Sequence, residues 1–222
     1  MKLSSVWDSH MKTSLPAALI PRKCPRQTRS VVTVEAIFEG TIQVLLSAGS
    51  ARLNTTRVAE RAGVSVGTLY QYFPNKQSLL LAVLERYLEK LMDRLEAACE
   101  GQRGGTAEAM TEAAVKAYLQ VKAEQPEVSR ALYLIVAELD AQKLVEAAIQ
   151  RAEQAIAAML ATASDGCFSD PHAVARVLFA AIHGTVRMFY ERDLPPLIGG
   201  DIERQLTMMC RSYVTEAIQQ CI

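Results

Sequence analysis

The chain lacks most of what an enzyme or metal site requires. It has three histidines, His10, His172 and His183, and none has a glutamate three residues before it, which excludes the Glu-x-x-His sets of di-metal helical bundles. There is no Gly-rich phosphate loop of the nucleotide-binding kind. The five cysteines (Cys24, Cys99, Cys167, Cys210 and Cys221) are odd in number, widely spaced and never two apart. That spacing argues against a disulfide framework and a zinc knuckle alike and makes the cytoplasm the expected compartment. No stretch approaches the ~18 uncharged apolar residues of a spanning helix. The apolar run Leu15–Ile20 is too short for a signal-peptide core and leads into Arg22 and Lys23. Strand-like alternation, internal repeats and low-complexity tracts are also missing. Catalysis, a cofactor, a metal and a membrane are therefore not expected.

Net charge is zero over the 222 residues, and 50% of them are hydrophobic, as in an ordinary globular chain. The charge is unevenly placed. Residues 20–76 carry eight Lys/Arg against three Asp/Glu (net +5), whereas residues 77–222 carry fourteen against twenty (net −6). A basic front and an acidic back imply two tasks, the first directed at something anionic. Residues 1–29 read as a disordered basic arm, 30–76 as one domain and 77–222 as a second.

From Val31 onward the apolar period is helical. Val34, Ile37, Phe38, Ile42, Leu45 and Leu46 set out a first helix near 31–48, closed by Gly49 in a left-handed position. Asn54 is placed to cap a helix of about two turns that ends at Gly63. Ser65 caps a third segment, Val66 to Phe73, which Pro74 terminates. Asn75 caps a fourth helix, roughly Lys76 to Glu100, whose apolar stripe is too wide for one partner. Further helical patterns lie at about 106–124, 127–139, 141–162, 171–192 and 201–220. The fold class is all-α, with about nine helices.

Residues 54–73 have helix-turn-helix spacing. With Leu69 and Phe73 set inward at 100° per residue, Gly67 and Gln71 point outward, flanked by Thr68 and Tyr70. Such a face enters a major groove without clashing, and glutamine pairs two-fold with adenine. The Thr55-Thr56 and Asn75-Lys76 helix starts offer backbone N–H, hydroxyl and ammonium donors to phosphate. Lys76 at a helix start is unfavourable for the helix dipole, which a phosphate repairs. Arg57 and Arg61 read as solvated. Tyr72, a step off the inward direction, reads as partly a packing residue.

The run Thr56-Arg57-Val58-Ala59-Glu60-Arg61-Ala62-Gly63-Val64-Ser65-Val66-Gly67-Thr68-Leu69-Tyr70-Gln71-Tyr72-Phe73-Pro74-Asn75-Lys76 resembles the DNA-binding segment of the TetR (tetracycline repressor-like) family of bacterial transcription regulators. The resemblance spans about 45 residues, from the first helix to the start of the fourth; beyond Leu80 it is one of architecture. It implies a homodimer whose two recognition helices read a palindromic double-stranded operator and whose C-terminal helices form a ligand pocket and the dimer interface. Carried over by position, Ser65, Val66, Gly67, Thr68, Gln71 and Tyr70 lie toward bases, while Thr55, Thr56, Tyr70, Tyr72 and Lys76 hold phosphates. Leu53-Asn54 stands where many members have a threonine pair, which leaves the cap chemistry there to Asn54 and Thr55.

The back half offers two features. Val174, Val177, Leu178, Ala181, Ile182, Val186 and Phe189, then Ile202, Leu206, Met209, Cys210, Tyr213, Val214, Ala217 and Ile218, form wide stripes suited to one face in the subunit and another in a twin. Tyr87, Tyr118, Tyr133, His183 and Arg187, with Thr185 and Met188, are candidates to line a pocket for a small hydrophobic or aromatic effector. Relief of repression by that ligand is the expected behaviour. Competing with it are a helical enzyme, disfavoured above, and an oxidant sensor built on Cys24 among Arg22, Lys23 and Arg26.

Overall fold

A computed structural model describes residues 28–139, 141–192 and 201–218. The basic arm and Cys24 lie outside them. Nine helices and no strand occur among the described residues: α1 Thr28–Arg52, α2 Thr55–Arg61, α3 Val66–Tyr72, α4 Lys76–Gly101, α5 Ala107–Glu124, α6 Pro126–Glu138, α7 Gln142–Leu160, α8 Pro171–Glu191 and α9 Asp201–Ala217. Two compact units result. Among the described residues, the first comprises those up to Glu89 together with those of 134–144; the second comprises Lys90–Tyr133 and those from Val145 onward.

The first unit is built on α1. Its buried face is Val34, Ile37, Phe38, Thr41, Val44 and Leu45. The sequence reading assigned Ile42 and Leu46 to this face, but Ile42 is half-buried and Leu46 is exposed. Thr41 takes the place because its hydroxyl is satisfied locally, donating to the Ile37 carbonyl at 2.7 Å. Helical geometry breaks at Gly49, whose φ of 74° costs a side-chain-bearing residue far more; a further turn runs on to Arg52. By length and composition α1 is apolar enough to cross a membrane, contrary to the expectation above. Its apolar face is instead the core of this unit, and Glu35 on it pairs with Arg86 of α4.

Short α2 and α3 are held by that core. Val58, Ala59, Leu69 and Phe73 are buried, and the Phe73 ring lies 5.7 Å from that of Phe38. Deeply buried aromatic and aliphatic side chains of this kind contribute ~1.5–3 kcal/mol each. The α1–α2 crossing is close: a Cβ placed on Gly40 would meet the Ala62 backbone nitrogen at 3.0 Å and the Val58 carbonyl at 3.2 Å. The first half of α4 completes the unit, with Leu79 to Leu84 all buried.

The second unit packs α5, α7, α8 and α9 with the later half of α4 around Leu95, Met110, Tyr118, Ile156, Leu178, Phe179 and Ile182. Thr106 and Asp170 cap α5 and α8. Arg211 of α9 pairs with Glu108 and Glu112 of α5. On α8 and α9, Val174, Leu178, Ile182, Val186, Leu206, Cys210 and Val214 are buried, whereas Val177, Met188, Met208 and Met209 face outward.

Candidate nucleic-acid interface

The reader element begins at three side-chain caps. Asn54 Oδ1 accepts from the Arg57 N–H at 2.9 Å, Ser65 Oγ from the Thr68 N–H at 2.9 Å, and Asn75 Oδ1 from the Ser78 N–H at 2.8 Å. Each satisfies an otherwise orphaned donor at a helix start, and α2 and α3, of seven residues each, are too short to be stable alone. Gly63, at φ 66°, makes the tight turn between α2 and α3. The Gly63-Val64-Ser65-Val66-Gly67 run also has the Gly-x-Ser-x-Gly spacing of a hydrolase elbow. No strand precedes it, and Ser65 Oγ serves the cap and the Thr68 hydroxyl, 2.8 Å away.

Asn54, Thr56, Ser65, Val66, Gly67, Tyr70 and Gln71 are exposed and Thr68 is half-buried. A side chain added at Gly67 would meet nothing closer than Ser65 Oγ at 3.8 Å, so the face is flat there. Three residues expected at the phosphate rim also have partners within the unit. Thr55 is buried and its hydroxyl pairs with the Tyr70 hydroxyl at 3.0 Å, tying the start of α2 to the recognition helix. Tyr72 is only 6% exposed, packed beside Phe73. Lys76 Nζ donates to the Ser50 carbonyl at 2.6 Å and lies 3.6 Å from Glu138. Arg57 donates to the Arg52 carbonyl and Arg61 to Gln43, which makes both structural ties.

The second unit holds a buried polar cluster on α5, α6 and α8. Tyr118 and His183 are joined by a hydroxyl–Nδ1 hydrogen bond of 2.9 Å. Phe179 stacks on His183 and meets Tyr118 edge-on, and Tyr133 stacks on Tyr190 at 5.6 Å. Lys122 reaches into these rings, its ammonium 4.7 Å from the Tyr133 centroid and 5.5 Å from that of Tyr118. Its carbonyl accepts from Tyr190 and Ser129. Burial pulls the Lys122 amine down to about 7. Burial first, then the charges of Lys122 and Arg187, pull His183 down to about 4. Burial pushes Tyr133 up to about 12.

Of the pocket candidates, Tyr118, Tyr133 and His183 are brought together. Arg187 is exposed, paired with Glu191 at 2.7 Å, and acts on the cluster through its charge. Tyr87 falls in the first unit. Lys122, Phe179 and Tyr190 escaped the sequence reading, although spacing pointed to them: Lys122 follows Tyr118 by four residues, and Phe179 and Tyr190 flank His183 by four and seven. A separate groove of about 800 Å³ between α5 and α9 is walled by charged side chains, among them Glu108, Lys116, Arg204 and Arg211. Among the described residues no group of three His, Cys, Asp or Glu is placed to hold a metal ion.

A capped pair of short helices with a flat, polar outer face, followed by a larger helical unit, defines a helix-turn-helix DNA-binding protein. Comparison with known proteins makes the class specific. Residues 37–83 match the bacterial regulatory proteins of the tetR family, and residues 106–213 match the tetracyclin repressor-like C-terminal domain. The chain belongs to the TetR family of transcription regulators, which are DNA-binding proteins and not enzymes. The HTH-type transcriptional repressor KstR of Rhodococcus jostii is 41% identical over 58 residues, 26% of this chain and 27% of that protein. The alignment thus spans about a quarter of that curated relative. A TetR transcription regulator from Haloarcula marismortui superimposes with a TM-score of 0.69 at 21% identity, covering 84% of this chain and 98% of that one. A complex of SmeT with triclosan gives a TM-score of 0.64 at 21% identity, covering 84% and 92%.

Proposed function

We propose that this regulator is a ligand-responsive repressor. It binds a palindromic operator as a homodimer in the cytoplasm and is released by a small hydrophobic or aromatic molecule. The observation that carries the reading is the outer face of α3, where Gly67 and Gln71 are exposed above a fully packed inner face. Ser65, Val66, Gly67, Thr68, Tyr70 and Gln71 face the bases. Asn54, Thr55, Thr56, Tyr72 and Lys76 form the backbone-contacting rim, Thr55 by holding Tyr70 in place. Exposed Val177, Met188, Met208 and Met209 on α8 and α9 support a dimer face made by the last two helices. The ring cluster of Tyr118, Tyr133, Phe179 and His183 supports an aromatic effector; the neighbour in fold SmeT is known in a complex with triclosan. Release follows if the effector favours a spacing of the two heads that misfits the operator.

The test is selection of a duplex from a random pool, followed by Gln71→Ala. Recovery of an inverted repeat, and a loss of roughly 1–3 kcal/mol at one base step on substitution, is the expected result. Enrichment of no repeat, or equal weakening on selected and random duplex, would refute the reading.

A further inference from the structure

Lys76 opens α4 in the first unit, and two acceptors from different parts of that unit meet its ammonium. The Ser50 carbonyl, in the turn after the Gly49 break, accepts a hydrogen bond at 2.6 Å. The Glu138 carboxylate, on the last residue of α6, stands at 3.6 Å, an ion pair without a hydrogen bond. The lysine side chain is 26% exposed and the glutamate 42%. Ser50 therefore fixes where the amine sits, while Glu138 acts on it by charge alone.

An ammonium has three N–H donors, so a position fixed by Ser50 still leaves donors for an outside oxygen. A DNA phosphate and the Glu138 carboxylate carry charge of the same sign and contend for that one cation at short range. At a partly exposed site the contest is a modest Coulomb effect, and salt screens it. Resting on the reading of Lys76 as a phosphate contact, we infer that Glu138 is a built-in competitor of DNA: a carboxylate at the end of α6 that attracts the Lys76 ammonium and lowers affinity for the duplex. It touches no base, so its effect is blind to sequence. The end of α6 thereby becomes a place from which DNA affinity is set, since withdrawing one carboxylate frees one phosphate-binding cation in each head.

The test measures binding of the full chain to a random-sequence duplex of about 30 base pairs, three helical turns. It uses wild type, Glu138→Gln, Lys76→Gln, the double variant, and Glu127→Gln as a control at the other end of α6. Glu138→Gln is expected to tighten binding roughly twofold to fivefold per head, the range of an exposed ion pair, with the gain shrinking as salt rises. In the Lys76→Gln background the same change does nothing, and Glu127→Gln leaves affinity at the wild-type level. If Lys76→Gln weakens binding while Glu138→Gln changes nothing, or tightens it equally with and without Lys76, the competitor role is overturned and the phosphate contact stands. If Lys76→Gln leaves affinity unchanged, the phosphate contact itself fails. Thermal melts on each variant separate these outcomes from misfolding.

Discussion

Asn54, Ser65 and Asn75 of the first unit place their polar atoms at helix ends, where each meets a backbone N–H; Lys122, Tyr118 and His183 of the second place theirs inside a ring cluster. The first unit has exceptions in Ser78 and in Glu85, which is buried and has an oxygen without a hydrogen-bond partner. Burial, with Glu89 nearby, pushes its carboxyl up to about 8. The contrast shows that a reading head is shaped by short bonds between near neighbours in sequence. The larger unit is shaped by which unlike helices converge. It also means that protons act with opposite sign on Glu85 of the first unit and on Lys122 and His183 of the second.

The largest expected effect separates the units by unfolding one of them. Phe73→Ala removes a fully buried ring that packs on Phe38 and should cost about 3–5 kcal/mol. Amide exchange should show protection lost across α1–α3 and kept in α7–α9. Simultaneous loss in both would mean that the two units fold as one.

The next effect tests the opposite signs. Glu85 stays protonated in the folded chain up to about 8, whereas the unfolded carboxyl ionises near 4.5, so its burial makes stability fall as pH rises between those values. His183, held near 4 against 6.5, and Lys122, near 7 against 10.5, bind protons more readily when unfolded. They make stability rise with pH across 4–6.5 and 7–10.5 respectively. Glu85→Gln should flatten the fall, and Lys122→Met the rise above neutrality, each changing stability by roughly 1–3 kcal/mol where the group's two states differ. Denaturant melts from pH 5 to pH 9, at about one-unit steps, read both; slopes unchanged by either substitution would show that these groups are not what makes the units differ.

The smallest effect lies at a cap. Asn54→Ala should cost about 1 kcal/mol and weaken DNA binding through fraying of α2. A melt indistinguishable from wild type would mean that packing of Val58 and Ala59 holds α2 without its cap.

Much of this was legible before the structure, and the reason is local. Asn54, Ser65 and Asn75 precede their helices by one residue, and Gly49 and Gly63 sit where the backbone needs positive φ, so a window of a few residues contains the whole signal. Helix positions beyond α4 followed from the apolar period in the same way. What stayed hidden depends on distant chain. Thr41 looks polar and is core because its hydroxyl bonds back one turn. Lys76 was assigned to phosphate and also bonds the Ser50 carbonyl 26 positions away, with Glu138 close by. Lys122 of α5 drew no notice, because the rings around it come from α6 and α8. No local pattern reports such partners; only the convergence of separate helices does.

Gly40 carries a consequence out of proportion to its size. It lies against the backbone of Val58 and Ala62 with room for a hydrogen and no more, so the tilt at which α2, and α3 behind it, is presented to a duplex hangs on one missing methyl group. An alanine there would leave every donor and acceptor of the recognition face in place and still turn that face by the few tenths of an ångström the neighbours must yield. In a DNA-binding protein, such a rotation is a change of message written without altering a single letter of the alphabet.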